Sequence, residues 1–214
     1  MSSIVWVICA HNDDQIIGAG GTLAKYAKEG KQVETYVMSF GEASHMHFKA
    51  EITAEMRAKE SFESNAILGG SLIQHFGLKE GKFLDEIKEK QVDKFLLQEL
   101  KEKKPGKIFT HSIDDPHPDH QAVYKFVQDL TKKSHYRGDV YSFNVWNPIN
   151  IRKRNVPKMV VDITETFQTK IKSFKVHRSQ KMTLFTLLWN VYLRAILIGF
   201  NNHCRYAEEF YKIR

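Results

Sequence analysis

The chain has 214 residues, of which 42% are hydrophobic and 27% charged, with 12 Gly and 5 Pro. That composition is globular and excludes a disordered, collagen-like or repetitive chain, and the length suits one domain (1–214) more simply than two small ones. The formal charge of +7 is uneven: residues 1–150 carry −2 and residues 151–214 carry +9, so the basic excess, compatible with an acidic substrate, a nucleic acid or an anionic membrane, lies wholly in the C-terminal third.

In chain order, the apolar, β-branched run Ser3–Ala10 predicts a first strand. The glycines at 18, 20 and 21 predict a tight loop before a helix at Thr22–Glu29, which Gly30 stops. Gln32–Ser39 predicts a second strand. Glu51–Leu68, with Ala54, Ala58, Phe62 and Ala66 at fourfold spacing, predicts a helix ended by Gly69-Gly70. A third strand at Ser71–Phe76, a helix near Ile87–Lys103 and a fourth strand at Lys107–Thr110 follow. Asp119 or a neighbour is expected to cap a helix running to about Leu130. Tyr141–Val145 and Lys158–Asp162 predict later strands, and Thr164–Val176 and Met182–Ile198 later helices. The loop Asn147–Pro157, with Arg152-Lys-Arg154, is expected to border a C-terminal subregion from about residue 151.

Strands alternating with helices imply right-handed crossovers and an α/β fold, a Rossmann-like three-layer sandwich with a mainly parallel sheet. Ligands of such sheets bind where the strands end at their carboxyl edge. His11-Asn-Asp-Asp14 follows the first strand and His111–His120 follows the fourth, so both clusters are expected at that edge.

Two cysteines, Cys9 and Cys204, cannot build a disulfide framework, which fits a reducing, cytoplasmic setting. The first 14 residues lack a basic segment and reach Asp13-Asp14 too early for a signal peptide. The apolar stretch Met182–Phe200 is interrupted by Asn190 and Arg194, so it is expected as a core helix or subunit interface and not a membrane span.

A zinc site that hydrolyses needs about three His or carboxylate ligands and one open position. His11 and Asp14, with the histidines of His117-Pro-Asp-His120, can together supply His, Asp and His. Asp13 is then a carboxylate left over to take a proton. Each cluster alone has a plainer reading, an Asp-Asp helix cap or an exposed turn.

Ala10-His-Asn-Asp-Asp14, Gly18-Ala-Gly-Gly-Thr22 and His117-Pro-Asp-His-Gln-Ala122 together resemble the PIG-L (LmbE-like) zinc-dependent N-deacetylases. The resemblance extends through Ser39-Phe-Gly-Glu42, through Arg57 with Glu60 and Leu68-Gly69, and through Asp162, Lys170, His177, Ser179 and Gln180, to Tyr206-Ala-Glu-Glu-Phe210. It implies one zinc per chain held by His11, Asp14 and His120, with Asp13 as general base on zinc-bound water. It implies His117 as the group that stabilises or protonates the tetrahedral intermediate. Arg57, Glu80 and His177 are the substrate-binding residues it implies, His177 in its own or a neighbouring subunit. The implied reaction is removal of acetate from an N-acetylglucosamine-type amide by a homo-oligomeric enzyme. Two positions depart from the pattern: Asn12 stands where proline is usual, and Gln15 where glutamate is common.

Other residues have plainer assignments. Gly18-Ala-Gly-Gly21 is not a dinucleotide loop, because Leu23 fills the last glycine position. His45 and His47 are expected at the pocket rim, and His111 as a buried partner beneath the zinc ligands. A non-sugar zinc amidase and a non-catalytic binding protein of the same fold are the alternatives. Nucleic-acid-binding signatures are absent, and the basic C-terminal third points instead to an anionic group on the substrate or an acidic subunit surface.

Overall fold

The computed structural model describes residues 3–42, 49–147 and 156–214. The strands are β1 (Ile4–Cys9), β2 (Gln32–Val37), β3 (Leu72–His75), β4 (Lys107–His111), β5 (Asp139–Phe143), β6 (Lys158–Asp162) and β7 (Ala207–Lys212). The helices are α1 (Asp14–Lys28), α2 (Ala50–Leu68), α3 (Phe83–Glu89), α4 (Val92–Lys103), α5 (Pro118–Lys133), α6 (Phe167–Phe174) and α7 (Lys181–Asn201), and a 3-10 turn spans Arg178–Gln180.

The strands form one sheet in the order β3-β2-β1-β4-β5-β7-β6. β3 to β5 pair in parallel, and β7 runs antiparallel between β5 and β6. β1 lies near the centre and alternates its side chains between two cores, as a strand buried on both faces must. Val5, Val7 and Cys9 join Ile16, Leu23, Phe167 and Leu187 on the α1, α6 and α7 side. Trp6, Ile8 and Ala10 join Phe83, Leu96 and Val123 on the α3, α4 and α5 side. The result is the expected Rossmann-like three-layer sandwich.

Three elements differ from expectation. The first helix starts at Asp14, so the glycines lie inside it and not in a loop. Tertiary contacts override their poor helix propensity. A Cβ on Gly18 would fall onto the ring of Phe143, and one on Gly21 would meet Ile163 Cβ at 2.8 Å. The same stretch is held by polar side chains. Lys170 Nζ donates to the Ile17 carbonyl at 2.8 Å, and Glu208 accepts from the Gly21 and Thr22 amides at 3.0 and 2.7 Å. In a regular helix the Gly21 amide and the Ile17 carbonyl would bond each other, so the Lys170–Glu208 pair, 2.7 Å apart, reaches into the α1 backbone ladder.

The helix expected over Ile87–Lys103 is two helices, divided at Gln91, whose φ of 56° is left-handed. The strand β7 was not expected as a strand. Glu208 and Glu209 mask its apolar alternation, yet Glu208 is buried because Lys170 and α1 satisfy its carboxylate. Elsewhere the expected elements stand within a few residues, including the Gly69 stop of α2 at φ 77°.

Candidate metal and catalytic site

The carboxyl ends of β1 and β4 bring the two expected clusters together. His11, Asn12 and Asp13 form the turn leaving β1, and Asp14 opens α1. Across the sheet, β4 ends on His111, and His117 caps α5 with Pro118 in its first turn. The proline suits that place because the first helical amide needs no partner. His117 Nδ1 accepts from the Asp119 amide at 3.2 Å.

Ligand atoms of His11, Asp14 and His120 lie within 4.8 Å of one another. Asp14 is the hub: Oδ2 lies 3.4 Å from His11 Nδ1 and accepts from the His11 amide at 2.7 Å, while Oδ1 lies 3.3 Å from His120 Nε2. His11 Nε2 faces two more carboxylates, Glu80 at 3.3 Å and Asp119 at 3.4 Å. Two further sets, His11/His117/Asp119 and His111/Asp115/His120, overlap the first and belong to the same cluster.

Asp115 has the feature that sequence reasoning missed. Its Oδ1 lies 2.9 Å from His120 Nδ1, and its Oδ2 accepts from the Val145 and Trp146 amides at 2.9 and 3.2 Å. Although burial opposes the charge, His120 and the Val145 amide hold the Asp115 carboxyl down at about 2. A carboxylate behind a histidine fixes the ring's orientation and increases its basicity. The only local signal was an acidic residue two positions before His117, and the β5 end that anchors it is remote in sequence.

His111 lies beneath the cluster, its ring stacked on His120 at 3.9 Å between centroids. Its Nε2 accepts from the Ala10 amide at 2.9 Å, which puts the proton of the neutral ring on Nδ1. Burial and the neighbouring His120 lower its pKa to about 4, so it stays neutral.

Charge supplies a test of whether a cation fits. Burial opposes protonation of His120, but Asp14 and Asp115 overcome it and raise the pKa to about 9. Burial also opposes protonation of His11, and Asp119, Asp14 and Glu80 outweigh it, raising its pKa well above the ordinary value. The carboxylates thus demand positive charge at two rings whose buried Nε2 atoms lie 3.3–3.4 Å from carboxylate oxygens. A divalent cation meets that demand through the same donor set, displacing the protons as it binds. The residues fit a metal of the zinc class, which takes nitrogen and carboxylate ligands.

Behind Asp14, Asp13 is buried and meets α2 and the 3-10 turn. Arg57 Nη2 lies 3.9 Å from Asp13 Oδ1, and Arg57 Nη1 donates to the Gly41 carbonyl at 2.5 Å. With the Gln180 amide nitrogen turned toward Asp13, it donates to Oδ2 at 3.0 Å, and the amide oxygen accepts from Arg57 Nε at 3.1 Å and from Nη2. Glu60 caps the turn, accepting from the Ser179 amide at 2.8 Å and from its hydroxyl at 2.6 Å. His177 is fully buried, with neither ring nitrogen hydrogen-bonded, and burial lowers its pKa while the nearby charge of Asp13 acts in the opposite sense. Of the three residues expected to meet substrate, Glu80 is partly open, with its side chain 22% exposed, whereas Arg57 and His177 lie buried around Asp13.

The two departures from the family pattern shape the turn. Asn12 Nδ2 donates to the Phe40 carbonyl at 3.1 Å, and Gln15 Nε2 donates back to the Asn12 carbonyl at 3.0 Å. His45, His47 and Arg152–Arg154 lie outside the described residues.

The family model described as PIG-L, GlcNAc-PI de-N-acetylase, matches residues 6–131. The chain is 26% identical to the diacetylchitobiose deacetylase of Thermococcus kodakarensis, over 94% of this chain and 80% of the relative. It is 25% identical to the 4-oxalmesaconate hydratase of Pseudomonas putida, over 89% of this chain and 77% of the relative. Its fold matches the N,N'-diacetylchitobiose deacetylase of Pyrococcus horikoshii with a TM-score of 0.81 at 23% identity, covering 99% of this chain and 84% of that one.

Proposed function

The chain belongs to the PIG-L (GlcNAc-PI de-N-acetylase) family, and from that premise we propose that it is a zinc-dependent N-deacetylase, releasing acetate and a free amine from an N-acetylglucosamine-type substrate. One observation carries the reading: His11, Asp14 and His120 converge on one point while Asp13, the next residue to Asp14, is left outside the set. Zinc held there by His11, Asp14 and His120 supplies Lewis acidity at the amide carbonyl and makes a water molecule more acidic.

The chain's own groups do the rest. Asp13, fixed by Gln180 and Arg57, takes the proton of the attacking water. His117 has its Nδ1 occupied by the Asp119 amide, so the neutral ring carries its proton on Nε2 and offers it to the developing oxyanion and then to the departing amine. Glu80, at the open side of His11, accepts from a sugar hydroxyl. Arg57 and His177 serve the substrate through Asp13. The free thiols of Cys9 and Cys204 suit a cytoplasmic setting.

The similarity to a hydratase favours a second reading, in which the same carboxylate and cation direct water at a carbon–carbon double bond. One experiment separates them. The zinc-loaded protein is offered N-acetylglucosamine conjugates of malate and inositol, chitin dimers, and a conjugated unsaturated dicarboxylate. Acetate release that disappears in a zinc-retaining Asp13→Ala variant is the expected result. Bleaching of the dicarboxylate chromophore with no acetate from any amide would replace deacetylation by hydration.

A further inference from the structure

A neutral imidazole carries one proton, so a histidine that gives one ring nitrogen to a cation has a single N–H left to place. His120 turns Nε2 to Asp14 and Nδ1 to the Asp115 carboxylate, 2.9 Å away. His11 is turned the other way round, with Nδ1 facing Asp14 at 3.4 Å. Its Nε2 meets two carboxylates at nearly equal distance, Glu80 Oε1 at 3.3 Å and Asp119 Oδ2 at 3.4 Å. Both separations exceed the ~2.9–3.0 Å of a well-formed N–H···O bond, as expected where one donor is divided between two acceptors.

The two carboxylates are held differently. Asp119 is only 3% exposed and stands in the first turn of α5, where a negative charge suits the helix terminus. Its amide donates to His117 Nδ1 at 3.2 Å, and its Oδ1 accepts from the Gly81 amide at 2.9 Å, which leaves Oδ2 directed at His11. Glu80 lies in the connection between β3 and α3, on a longer arm, with its side chain 22% exposed. Because the Gly81 amide ties that connection to Asp119, Glu80 can change partner by rotating its side chain while its backbone stays in place.

From this contrast we propose that Asp119 is the positioning residue of His11, fixing the ring so that Nδ1 addresses the metal, and that Glu80 is the exchangeable neighbour that leaves the ring for substrate. Each metal-binding histidine then has its own carboxylate behind it, Asp119 for His11 and Asp115 for His120, which sets ring orientation and basicity. The six residues from Asp115 to His120 supply one ligand and the carboxylate behind both rings. The inference rests on the metal reading of the site and not on the acyl group that is removed.

The test is zinc affinity of the full chain by competition with a chromophoric chelator, together with the visible absorption of the cobalt-substituted protein, for wild type, Asp119→Asn and Glu80→Gln. Both variants delete one negative charge at nearly the same distance from His11 Nε2, so a purely Coulombic effect would weaken zinc equally in the two. Positioning predicts inequality. Asp119→Asn should lose about 10- to 100-fold in affinity and alter the cobalt bands. Glu80→Gln should change affinity by under about threefold, the size of a part-exposed ion pair, and leave the bands as in wild type. Asparagine can still accept from the Gly81 amide, so circular dichroism should be unchanged. Should Asp119→Asn not fold, Asp119→Glu keeps the charge and displaces the carboxylate, and it should lose affinity and shift the bands in the same way. Equal losses in Asp119→Asn and Glu80→Gln, or wild-type affinity and cobalt bands in a folded Asp119 variant, would overturn the proposal. A wild type without stoichiometric zinc would overturn the metal reading and the proposal with it, whereas a zinc protein that releases no acetate would leave both standing.

Discussion

Gln180 donates its amide nitrogen to Asp13 Oδ2 at 3.0 Å while its oxygen accepts from Arg57. The carboxylate proposed as general base is therefore held by a side chain from the far end of the sequence. Gln180→Leu removes the donor and frees the carboxylate to rotate. Turnover should fall about 10- to 100-fold with KM changed little and zinc content unchanged, because the ligand set is untouched. Gln180→Glu should fall further, since it sets a second carboxylate against Asp13. Loss of zinc or of folding in Gln180→Leu would show that Gln180 acts on the structure and not on the base.

Asp115 should matter to the metal without touching it. Asp115→Asn keeps the shape but weakens the carboxylate that orients the His120 ring, and zinc affinity should drop about 10- to 100-fold. His120→Ala should lose more, and His11→Ala with His120→Ala should abolish stoichiometric binding. A competition titration with a chromophoric chelator measures all three. Wild-type occupancy in the double variant would remove the site assignment.

Lys170 and Glu208 are a buried pair whose ends also satisfy the α1 backbone. Removing one partner strands the other in a dry site, so Lys170→Met should destabilise by about 3 kcal/mol or more. Glu208→Leu should cost a similar amount, and the double variant less than the sum, because neither charge is then orphaned. Urea unfolding of the four proteins completes the cycle. Additive losses would mean that the two residues act separately.

Much of the fold and site was legible because the signals were local. β1 is an uninterrupted apolar run, α2 ends on a left-handed glycine, and the strand-end clusters carry their own ligand spacing. What was not legible depends on contacts between distant segments. The glycines of α1 read as a loop because their purpose is the Phe143 ring and the Ile163 side chain, which are invisible until the sheet forms. β7 was not expected as a strand because its inward glutamate is acceptable only beside Lys170. Asp115 stands close to His120 in sequence, but the Val145 and Trp146 amides that anchor its other oxygen belong to the end of β5, and Gln180, marked in the sequence only by the family resemblance, meets Asp13 and Arg57 from another end of the chain.

Gly18 permits a direct check of that account. On helix propensity alone Gly18→Ala should stabilise α1 by about 1 kcal/mol. The added methyl falls on the Phe143 ring, which is itself fully buried, so the substitution should instead destabilise by about 1–3 kcal/mol. Phe143→Leu in the same chain should recover part of the loss by vacating the space. Thermal unfolding that shows Gly18→Ala to be more stable than wild type would mean that α1 does not pack on β5 as closely as described.

His75, at the end of β3, sets a pH dependence separate from the metal cluster. Its ring stacks on Phe40 at 5.1 Å, meets Phe62 edge-on at 5.6 Å and touches the Ser61 hydroxyl at 3.2 Å. Burial in that aromatic niche lowers its pKa from 6.5 to about 4. The unfolded chain therefore takes up this proton first as pH falls, and between 6.5 and 4 each step toward acid favours unfolding. Stability from this group is complete above the unfolded value and is lost on descent toward the folded one, by no more than about 3 kcal/mol. His75→Gln removes the titrating ring, so its unfolding free energy should change less than that of wild type between pH 7 and 4.5. Parallel pH profiles for the two proteins would show that the ring is protonated as easily in the fold as outside it.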